Sequence, residues 1–455
     1  MLTYELRKQP GVPLYEALYR CIREDILSGK LAPGQKLPSK RALAEHLEVS
    51  NITVEAAYDQ LLAEGYIRAK ERVGYFAEKV ERPSQAAKVS TQPIPEKTWQ
   101  IDLTENASTD FPFSVWSRLQ RQVIQDFGAK LLKPIPNRGL WELRCAIAEH
   151  LAGFRGMQVS AENILVGAGT DFLYNLLIQL LGRDKVYAVE EPGYGKIRRI
   201  YAAGGVACVS APMDTKGVMP SMLENAQVLH ISPSHHFPTG LVTPRERRVE
   251  LLGWACQQEN RYIIEDDYDS EFRFSAHPMP TMQSMDAHGR VIYMNTFSKT
   301  LAPSIRISYM VLPQMLMERF QRELGFYSCT VPSFEQYTLT RFLREGHFEK
   351  HLNRMRKAYK FRRNAVAAAL QESPFAENMT ILEQDAGLHF LLRITGESTE
   401  EELVARCADA GIRVRTLGSY YHGQIPMEDR NCLVINYSGL LPEQIDVLKE
   451  KLKTI

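Results

Sequence analysis

Apolar residues recur every three or four positions in the chain up to Gly65, which is the spacing of one face of an α-helix. The first run comprises Leu14, Leu18, Cys21, Ile22 and Ile26. We expect this helix to stop at Gly29, and two further helices to begin after the N-cap candidates Ser39 and Ser50. The last of these helices should end near Gly65. Two helices joined by so short a connection form a helix-turn-helix pattern.

A two-stranded hairpin is predicted next, over residues 66–77, with Lys70 and Arg72 near its tip. A hairpin directly after a helix-turn-helix indicates a wing, so we assign residues 1–79 to a winged-helix domain. The alternative is a solvated helical module with ordinary surface charges, because basic and acidic residues nearly balance in this region.

The pattern changes after residue 98, where helical stretches alternate with short apolar runs at residues 186–189, 228–231, 262–264 and 291–294. This alternation is typical of an α/β domain with a largely parallel sheet, which we assign to residues 99–455. Residues 80–98 are rich in Pro, Ser, Gln and Lys and are interpreted as a linker. We place a smaller C-terminal subdomain at about 325–455.

Composition narrows the possible locations and partners. A chain of 455 residues suits two or three domains, and its net charge of +1 means that any DNA contact must come from a local surface. The seven cysteines are scattered and never form a CxxC pair, as in reduced cytosolic proteins. Because no signal peptide or long apolar stretch is evident, we expect a soluble cytoplasmic protein without membrane contact.

The segment at residues 295–309 suggests a cofactor site, because Lys299 lies among the hydroxyls of Thr296 and Ser298 and the guanidinium of Arg306. A lysine amine condenses with an aldehyde only after it loses its proton, which partial burial near cationic groups promotes. The hydroxyls and the guanidinium suit a dianionic phosphate. The alternative is an exposed lysine on a polar loop.

A predicted strand at residues 261–264 leads into an acidic segment. Alternate residues of a strand share a face, so Asp266 and Tyr268 would point one way and Asp267 the other. The rival interpretation is a metal site built from Asp266, Asp267, Asp269 and Glu271. Since strand geometry divides these carboxylates between two faces, we expect no metal site.

A third motif joins the apolar run 164–166 to a predicted helix through Gly167-Ala168-Gly169-Thr170. Backbone amides at such a helix start bind phosphate. A Gly-x-Gly alone could mean only a tight turn, but its order relative to Asp266 and Lys299 favours a phosphate cradle.

Together these segments resemble the cofactor site of fold type I pyridoxal-phosphate enzymes, in which Lys299 would be the Schiff-base lysine. The resemblance implies that Asp266 pairs with the pyridine nitrogen, that Tyr268 bonds the phenolic oxygen and that Tyr194 lies near the ring. The residues implied at the phosphate are Ala168, Gly169, Thr170, Thr296, Ser298 and Arg306.

Two departures from the aminotransferase pattern place ordinary transamination in doubt. Phe237 occupies the turn position where those enzymes carry an asparagine, and residues 432–438 lack the late arginine that clamps a substrate carboxylate. The possible replacements are Lys196, Arg413, Arg415 and Arg430. On position alone each is an ordinary surface charge as readily as a ligand contact.

The N-terminal region, from Leu37–Ala44 through Gly65–Ile67, resembles the winged helix of GntR-family regulators. The DNA contacts implied by that resemblance are Lys40, Arg41, Ser50, Asn51, Thr53 and Arg72. Because the family commonly places arginine where this chain has Asn51, base preference there would shift from guanine toward adenine.

Both halves together resemble the MocR subfamily, which combines a winged helix-turn-helix with a fold type I aminotransferase-like domain of mostly parallel sheet and a smaller α+β C-terminal part. The resemblance implies a head-to-tail homodimer that binds double-stranded operator DNA and pyridoxal 5'-phosphate. We expect a transcription regulator that senses an amino compound or the cofactor itself. The alternative function is a working aminotransferase with an accessory DNA-binding head.

Overall fold

The protein is described from a computed structural model. It covers residues 2–4, 6, 13–71, 73–80, 99–104, 110–272, 279–374, 376–382, 387–396 and 399–453. The chain divides into two compact units, Met1–Glu96 and Lys97–Ile455. Linker residues 81–98 and the predicted DNA contact Arg72 lie outside the described residues.

The first unit, called the head below, has the predicted helix-turn-helix and wing. Its elements are α1 (Leu14–Leu27), α2 (Lys40–His46), α3 (Asn51–Ala63) and the antiparallel strands β1 (Ile67–Lys70) and β2 (Gly74–Ala77). The side chains of Ser39 and Ser50 accept the backbone N–H groups of Ala42 and Thr53, as expected for N-caps.

The second unit, called the effector domain below, alternates helices and strands. Its elements as far as the end of the first sheet are β3 (Ile101–Asp102), α4 (Phe113–Phe127), α5 (Trp141–Arg155), β4 (Ile164–Gly167), α6 (Thr170–Leu181), β5 (Val186–Glu191), α7 (Gly195–Ala203), β6 (Ala207–Asp214), β7 (Gly217–Val218), β8 (Val228–Ile231), α8 (Arg245–Cys256), β9 (Tyr262–Asp266), α9 (Met282–Met285), β10 (Val291–Thr296), α10 (Phe297–Thr300) and β11 (Ser308–Val311).

The eight-stranded sheet has the order β4-β11-β10-β9-β8-β5-β6-β7. Strands β10, β9, β8, β5 and β6 pair in parallel, whereas β11 is antiparallel to both of its neighbours. Strands β8, β9 and β10 are almost wholly buried, which explains their continuous apolar runs. The carboxyl ends of the parallel strands therefore meet at one edge, where sheets of this kind bind ligands.

The remaining elements form a smaller α+β part. They are α11 (Gln314–Leu324), α12 (Ser333–Arg344), α13 (His347–Gln371), β12 (Met379–Leu382), β13 (His389–Ile394), α14 (Glu400–Asp409), β14 (Ile412–Arg413), β15 (Arg415–Thr416), β16 (Cys432–Asn436) and α15 (Pro442–Leu452). Strands β12-β13-β16-β15 make an antiparallel sheet, and β14 pairs with β3. The predicted fold class is confirmed.

Helix α6 shows how the core fixes the cavity edge. It buries Leu173 and Leu177 in the cluster that also contains Ile264 and Ile292 of the sheet. Burial of each such side chain contributes about 1.5–3 kcal/mol, so the start of α6 is held against the carboxyl ends of the strands.

In the part of the chain that the structure describes, no helix combines the length and the apolar character required to cross a membrane.

Candidate functional site

A cavity of about 490 Å³ lies at the carboxyl ends of β5, β8, β9 and β10. That volume is typical of small-ligand sites. The predicted cofactor residues that line it are Thr170, Tyr194, Asp266, Tyr268, Thr296, Ser298, Lys299 and Arg306. Residues that are separated by up to 136 positions in the sequence therefore face one space.

Lys299 lies on the short helix α10, which directly follows β10. The side chain of Thr296 caps this helix by accepting the backbone N–H of Ser298 at 3.1 Å. Loss of solvation lowers the pKa of Lys299, while the nearby carboxylates of Asp269 and Asp266 oppose that shift. The amine is therefore more easily deprotonated than an exposed lysine, as condensation with an aldehyde requires.

Asp266 is buried at the end of β9, with one oxygen held by neighbours and the other facing no protein donor. Its Oδ2 accepts the hydroxyl of Tyr174 at 2.5 Å and lies 3.5 Å from Nε2 of His230. Its Oδ1 has no hydrogen-bond partner among the described residues. A fixed carboxylate with an unpaired oxygen at the cavity suits a protonated pyridine nitrogen.

The sequence interpretation missed Tyr174 and His230. His230 is the polar member of the buried strand β8, and a polar residue within an apolar run was a usable signal. Tyr174 lies one helical turn beyond Thr170, so its direction toward Asp266 depended on how α6 packs.

Asp267 points to the other face of the sheet, as the strand alternation predicts. Its Oδ2 lies 3.0 Å from Nε of Arg155 and accepts the hydroxyl of Tyr293 at 2.7 Å. Among the described residues, no group of three or more His, Cys, Asp or Glu side chains is arranged to hold a metal ion.

At the predicted phosphate end of the cavity, Gly169 and Arg306 approach each other closely. Gly169 has φ +87°, and a Cβ added there would lie 2.2 Å from Nη2 of Arg306. Arg306 itself has φ +50°, and its Nη2 lies 3.3 Å from Oδ2 of Asp171. The hydroxyl of Ser298 has no partner in the described part of the chain. A guanidinium and a buried unpaired hydroxyl suit a phosphate group.

Two of the three residues of the predicted phosphate cradle, Ala168 and Gly169, have backbone N–H groups that already donate within the protein. The backbone N–H of Ala168 donates to Oγ1 of Thr330 at 2.9 Å, and the residue lines a neighbouring groove rather than the cavity. Its amide therefore already has an acceptor. The backbone N–H of Gly169 also has one, since it donates to the carbonyl oxygen of Gly167 at 2.8 Å, and Thr170 is the cradle residue that lines the cavity.

Phe237 places an aromatic wall where the aminotransferase pattern has an amide. Its ring makes edge contacts with the rings of Tyr194 at 5.9 Å, Tyr420 at 5.2 Å and His389 at 5.1 Å between centroids. These ring contacts make this side of the cavity aromatic, without the amide that the aminotransferase pattern has there.

Tyr268 is supported by its neighbours at the wall of the cavity. Its hydroxyl lies 3.3 Å from Nδ1 of His235, and that nitrogen lies 2.7 Å from Oδ2 of Asp269. Burial raises the pKa of Tyr268, so the phenol stays protonated and can donate a hydrogen bond to a ligand oxygen.

Glu190 is a further cavity residue that the sequence interpretation did not select. Its Oε2 accepts the backbone N–H of Ser232 at 2.9 Å and lies 3.6 Å from Nε2 of His236. Burial raises the pKa of Glu190 to about 8 and lowers the pKa of His236 to about 3. Both groups are therefore neutral near pH 7.

The four candidate anion-binding residues separate into two pairs. Lys196 and Arg415 line the cavity, and Nζ of Lys196 lies 2.7 Å from Oδ2 of Asp171. In contrast, Arg413 forms an ion pair with Asp102 at 2.9 Å, and Arg430 does not line the cavity. Strand β16 presents Asn436 to the cavity, which agrees with the missing late arginine.

The head presents the predicted DNA contacts around the start of α3, where Asn51 is exposed, as is Arg41 on α2. Lys40 differs from the expectation, because its Nζ lies 2.8 Å from Oε1 of Glu55 and 3.2 Å from Oδ1 of Asp59. Its charge is therefore balanced within the head before any phosphate approaches.

The chain combines a winged helix with a fold type I cavity that contains a lysine and a buried aspartate. This combination defines a class of proteins, the DNA-binding regulators with an aminotransferase-like domain. Comparisons with known proteins agree. The aminotransferase class I and II family matches residues 98–452, and the gntR family of bacterial regulatory proteins matches residues 14–76.

Two regulators are similar to nearly the whole chain, and a solved aminotransferase structure is similar in fold to most of it. The uncharacterized HTH-type transcriptional regulator YhdI of Bacillus subtilis is 37% identical over 100% of this chain and 98% of its own. The probable rhizopine catabolism regulatory protein MocR of Rhizobium meliloti is 31% identical over 96% and 92%. The structure of Pyrococcus horikoshii kynurenine aminotransferase covers 78% of this chain and 91% of its own, with a TM-score of 0.66 and 24% identity.

This chain belongs to the MocR subfamily of GntR-family transcription regulators. It is a DNA-binding regulator whose aminotransferase-like domain binds pyridoxal phosphate.

Proposed function

We propose that the effector domain of this regulator senses a small amino compound that also carries an acid group, and that binding of this compound changes how a homodimer engages its operator. The observation that carries the proposal is the composition of one cavity. Lys299, Asp266 and Arg306 line it as a cofactor requires, whereas β16 contributes Asn436 and the turn contributes Phe237.

The residues fit pyridoxal phosphate, and their roles follow from their surroundings. Asp266 would hold the pyridine nitrogen through its unpaired Oδ1, and Tyr268 would donate to the phenolic oxygen. Arg306 and Ser298 would hold the phosphate. When bound, pyridoxal phosphate would supply an aldehyde that can react with an amine, and Lys299 and the amine of an effector are the two groups that would compete for it.

The acid group of the effector would meet Arg415, with Lys196 as a second cation. Arg415 lines the cavity next to Tyr420, and its guanidinium lowers the pKa of that phenol although burial raises it more. A guanidinium binds carboxylates in a bidentate manner, which a neutral Asn436 does not. In this proposal the acid contact lies on β15, away from the β16 position of ordinary aminotransferases.

Exposed apolar side chains on the effector domain support a homodimer. Phe113 is 74% exposed, Leu132 is 79% exposed and Ile124 is 52% exposed, all on or directly after α4. Apolar side chains concentrated in one exposed segment favour burial against another protein surface. Two heads brought together in this way would contact two half-sites of an operator.

The proposal is tested by absorbance titration of the full-length protein loaded with pyridoxal phosphate, using a panel of amines with and without acid groups. We expect amines that bear an acid group to change the visible absorbance at lower concentrations than matched amines without one. Lys299→Ala should abolish the visible band of the untreated protein. Repeated turnover with a keto acid, or no spectral response to any amine, would contradict the sensor function.

Arg415→Gln and Arg413→Gln form a matched pair for the acid contact. Loss of a hydrogen bond to a charged group costs about 1.5–3 kcal/mol, so Arg415→Gln should weaken the response to an amino acid about ten- to hundredfold. Arg413→Gln should leave it unchanged, because Arg413 is engaged with Asp102. Equal effects of the two substitutions would refute the assignment of Arg415.

A further inference from the structure

The start of α3 carries little free polar chemistry for contacting base pairs. The hydroxyl of Ser50 accepts the backbone N–H of Thr53 and lies 2.9 Å from Oγ1 of Thr53, so each hydroxyl already has a partner. On α2, the ammonium group of Lys40 forms ion pairs with Glu55 and Asp59. The first two residues of the helix, Asn51 and Ile52, are both exposed and are the candidates for base contacts.

Ile52 is 76% exposed, the highest value among the large apolar side chains of the described part of the head, where Val73 is 44% and Tyr15 is 37% exposed. The buried face of α3 consists of Val54, Ala57, Tyr58 and Leu61. At about 100° per residue, position 52 lies about 200° from position 54. Ile52 therefore projects away from the head core.

No contact within the described residues of the head explains an isoleucine at this position. A β-branched residue loses side-chain freedom in a helix and stabilises it less than alanine does. Its exposed side chain also leaves apolar surface in water. Nearby structure is already well fixed, because the hydroxyl of Tyr58 donates to the carbonyl of Pro38 at 3.0 Å and its ring packs against Tyr75 at 5.0 Å.

We propose that Ile52 contacts the C5-methyl group of a thymine in the major groove, next to the base pair that Asn51 contacts. The first residues of the second helix of a helix-turn-helix are those that reach base edges. Of the groups exposed in the major groove, only the thymine methyl is apolar and matches an aliphatic side chain. The first turn of α3 contributes no arginine for guanine, so the preferred step consists of A·T pairs.

This inference concerns operator recognition and does not depend on the effector proposed above. The test uses full-length protein with pyridoxal phosphate and a duplex selected by that protein from a random pool. Each thymine of the selected site is replaced in turn by uracil, which lacks only the C5-methyl group. The dissociation constant is measured for the wild type, Ile52→Ala and Val73→Ala on every duplex.

At one thymine per half-site, next to an adenine, we expect wild type to bind the uracil duplex about fourfold more weakly, the factor for one buried methyl group. Ile52→Ala should bind the thymine and uracil duplexes equally. Val73→Ala removes an exposed β-branched side chain from the wing and should retain the fourfold difference. Thermal unfolding of both variants checks that the head remains folded.

Four results would overturn the proposal. The wild type could be indifferent to uracil at every position, or Ile52→Ala could retain the full discrimination. A uniform loss of affinity by Ile52→Ala on the thymine and uracil duplexes would show instead that Ile52 contacts something other than the methyl group. Selection of operator sites that contain no thymine next to an adenine would also overturn the proposal.

Discussion

Substitution of Gly169 by alanine tests the phosphate end of the cavity. Gly169 has φ +87° and ψ 163°, a region that residues with a Cβ rarely occupy. Occupying such a region costs about 1–3 kcal/mol of folding free energy. In addition, the new Cβ would lie 2.2 Å from Nη2 and 2.6 Å from Cζ of Arg306, so the guanidinium must move.

If Arg306 holds the phosphate as proposed, the displaced guanidinium would no longer reach it in the same geometry. Loss of hydrogen bonds to a charged group costs about 1.5–3 kcal/mol, so Gly169→Ala should weaken pyridoxal phosphate binding about ten- to hundredfold. The measurement is a titration of cofactor-free protein with pyridoxal phosphate, followed by absorbance. Circular dichroism during thermal unfolding gives the separate stability loss.

Gly156→Ala is the matched control. Gly156 also has positive φ, +67°, but a Cβ added there meets nothing within 4 Å. It should lose stability by about 1–2 kcal/mol and keep the cofactor affinity of the wild type. In an Arg306→Gln background, Gly169→Ala should no longer affect affinity, because the group it displaces is gone. Unchanged affinity in the single variant, or additive losses in the double variant, would refute the role of Arg306.

Three further predictions concern the cavity and the head. Because burial raises the pKa of Glu190 from 4.5 to about 8, its stabilising contribution is complete below about pH 4.5 and is lost as the pH rises toward 8. In cofactor-free protein, the free energy of unfolding of Glu190→Gln should therefore fall less between pH 5 and pH 8 than that of the wild type. At about 1.4 kcal/mol per pH unit, the difference amounts to up to about 4 kcal/mol. Parallel curves of unfolding free energy against pH would contradict this prediction. Tyr174→Phe removes the 2.5 Å hydrogen bond to Asp266 and should weaken pyridoxal phosphate binding about fivefold in the same titration. An unchanged affinity would show that Asp266 needs no orientation by this phenol. Tyr58→Phe removes the bond to the carbonyl of Pro38 and should destabilise the head by about 1 kcal/mol without changing cofactor affinity, which thermal unfolding and titration measure together.

The ion pairs of Lys40 with Glu55 and Asp59 bear on how DNA affinity should depend on salt. Phosphate contacts by free cations make affinity strongly dependent on salt. Since Lys40 already has two carboxylate partners, we expect phosphate contact by the head to depend more on Arg41 and on groups of the wing. Specificity then depends on the short uncharged segment at the start of α3.

The sequence by itself determined the order of elements and predicted many of the residues that line the cavity. Helical and β-branched periodicities identified the winged helix and the parallel strands, because burial on one or both faces leaves a direct trace in the pattern of apolar residues. Alternation along β9 separated Asp266 from Asp267 for the same local reason.

Tertiary structure alone decided which polar groups meet. The amide of Ala168 is engaged by Thr330, 162 residues away, and Asp266 is held by Tyr174, 92 residues away. The packing likewise pairs Arg413 with Asp102, whereas Arg415 lines the cavity. Periodicity reports which face of an element is buried, whereas a contact between two polar groups depends on how separate elements pack, and that information is not local in the chain.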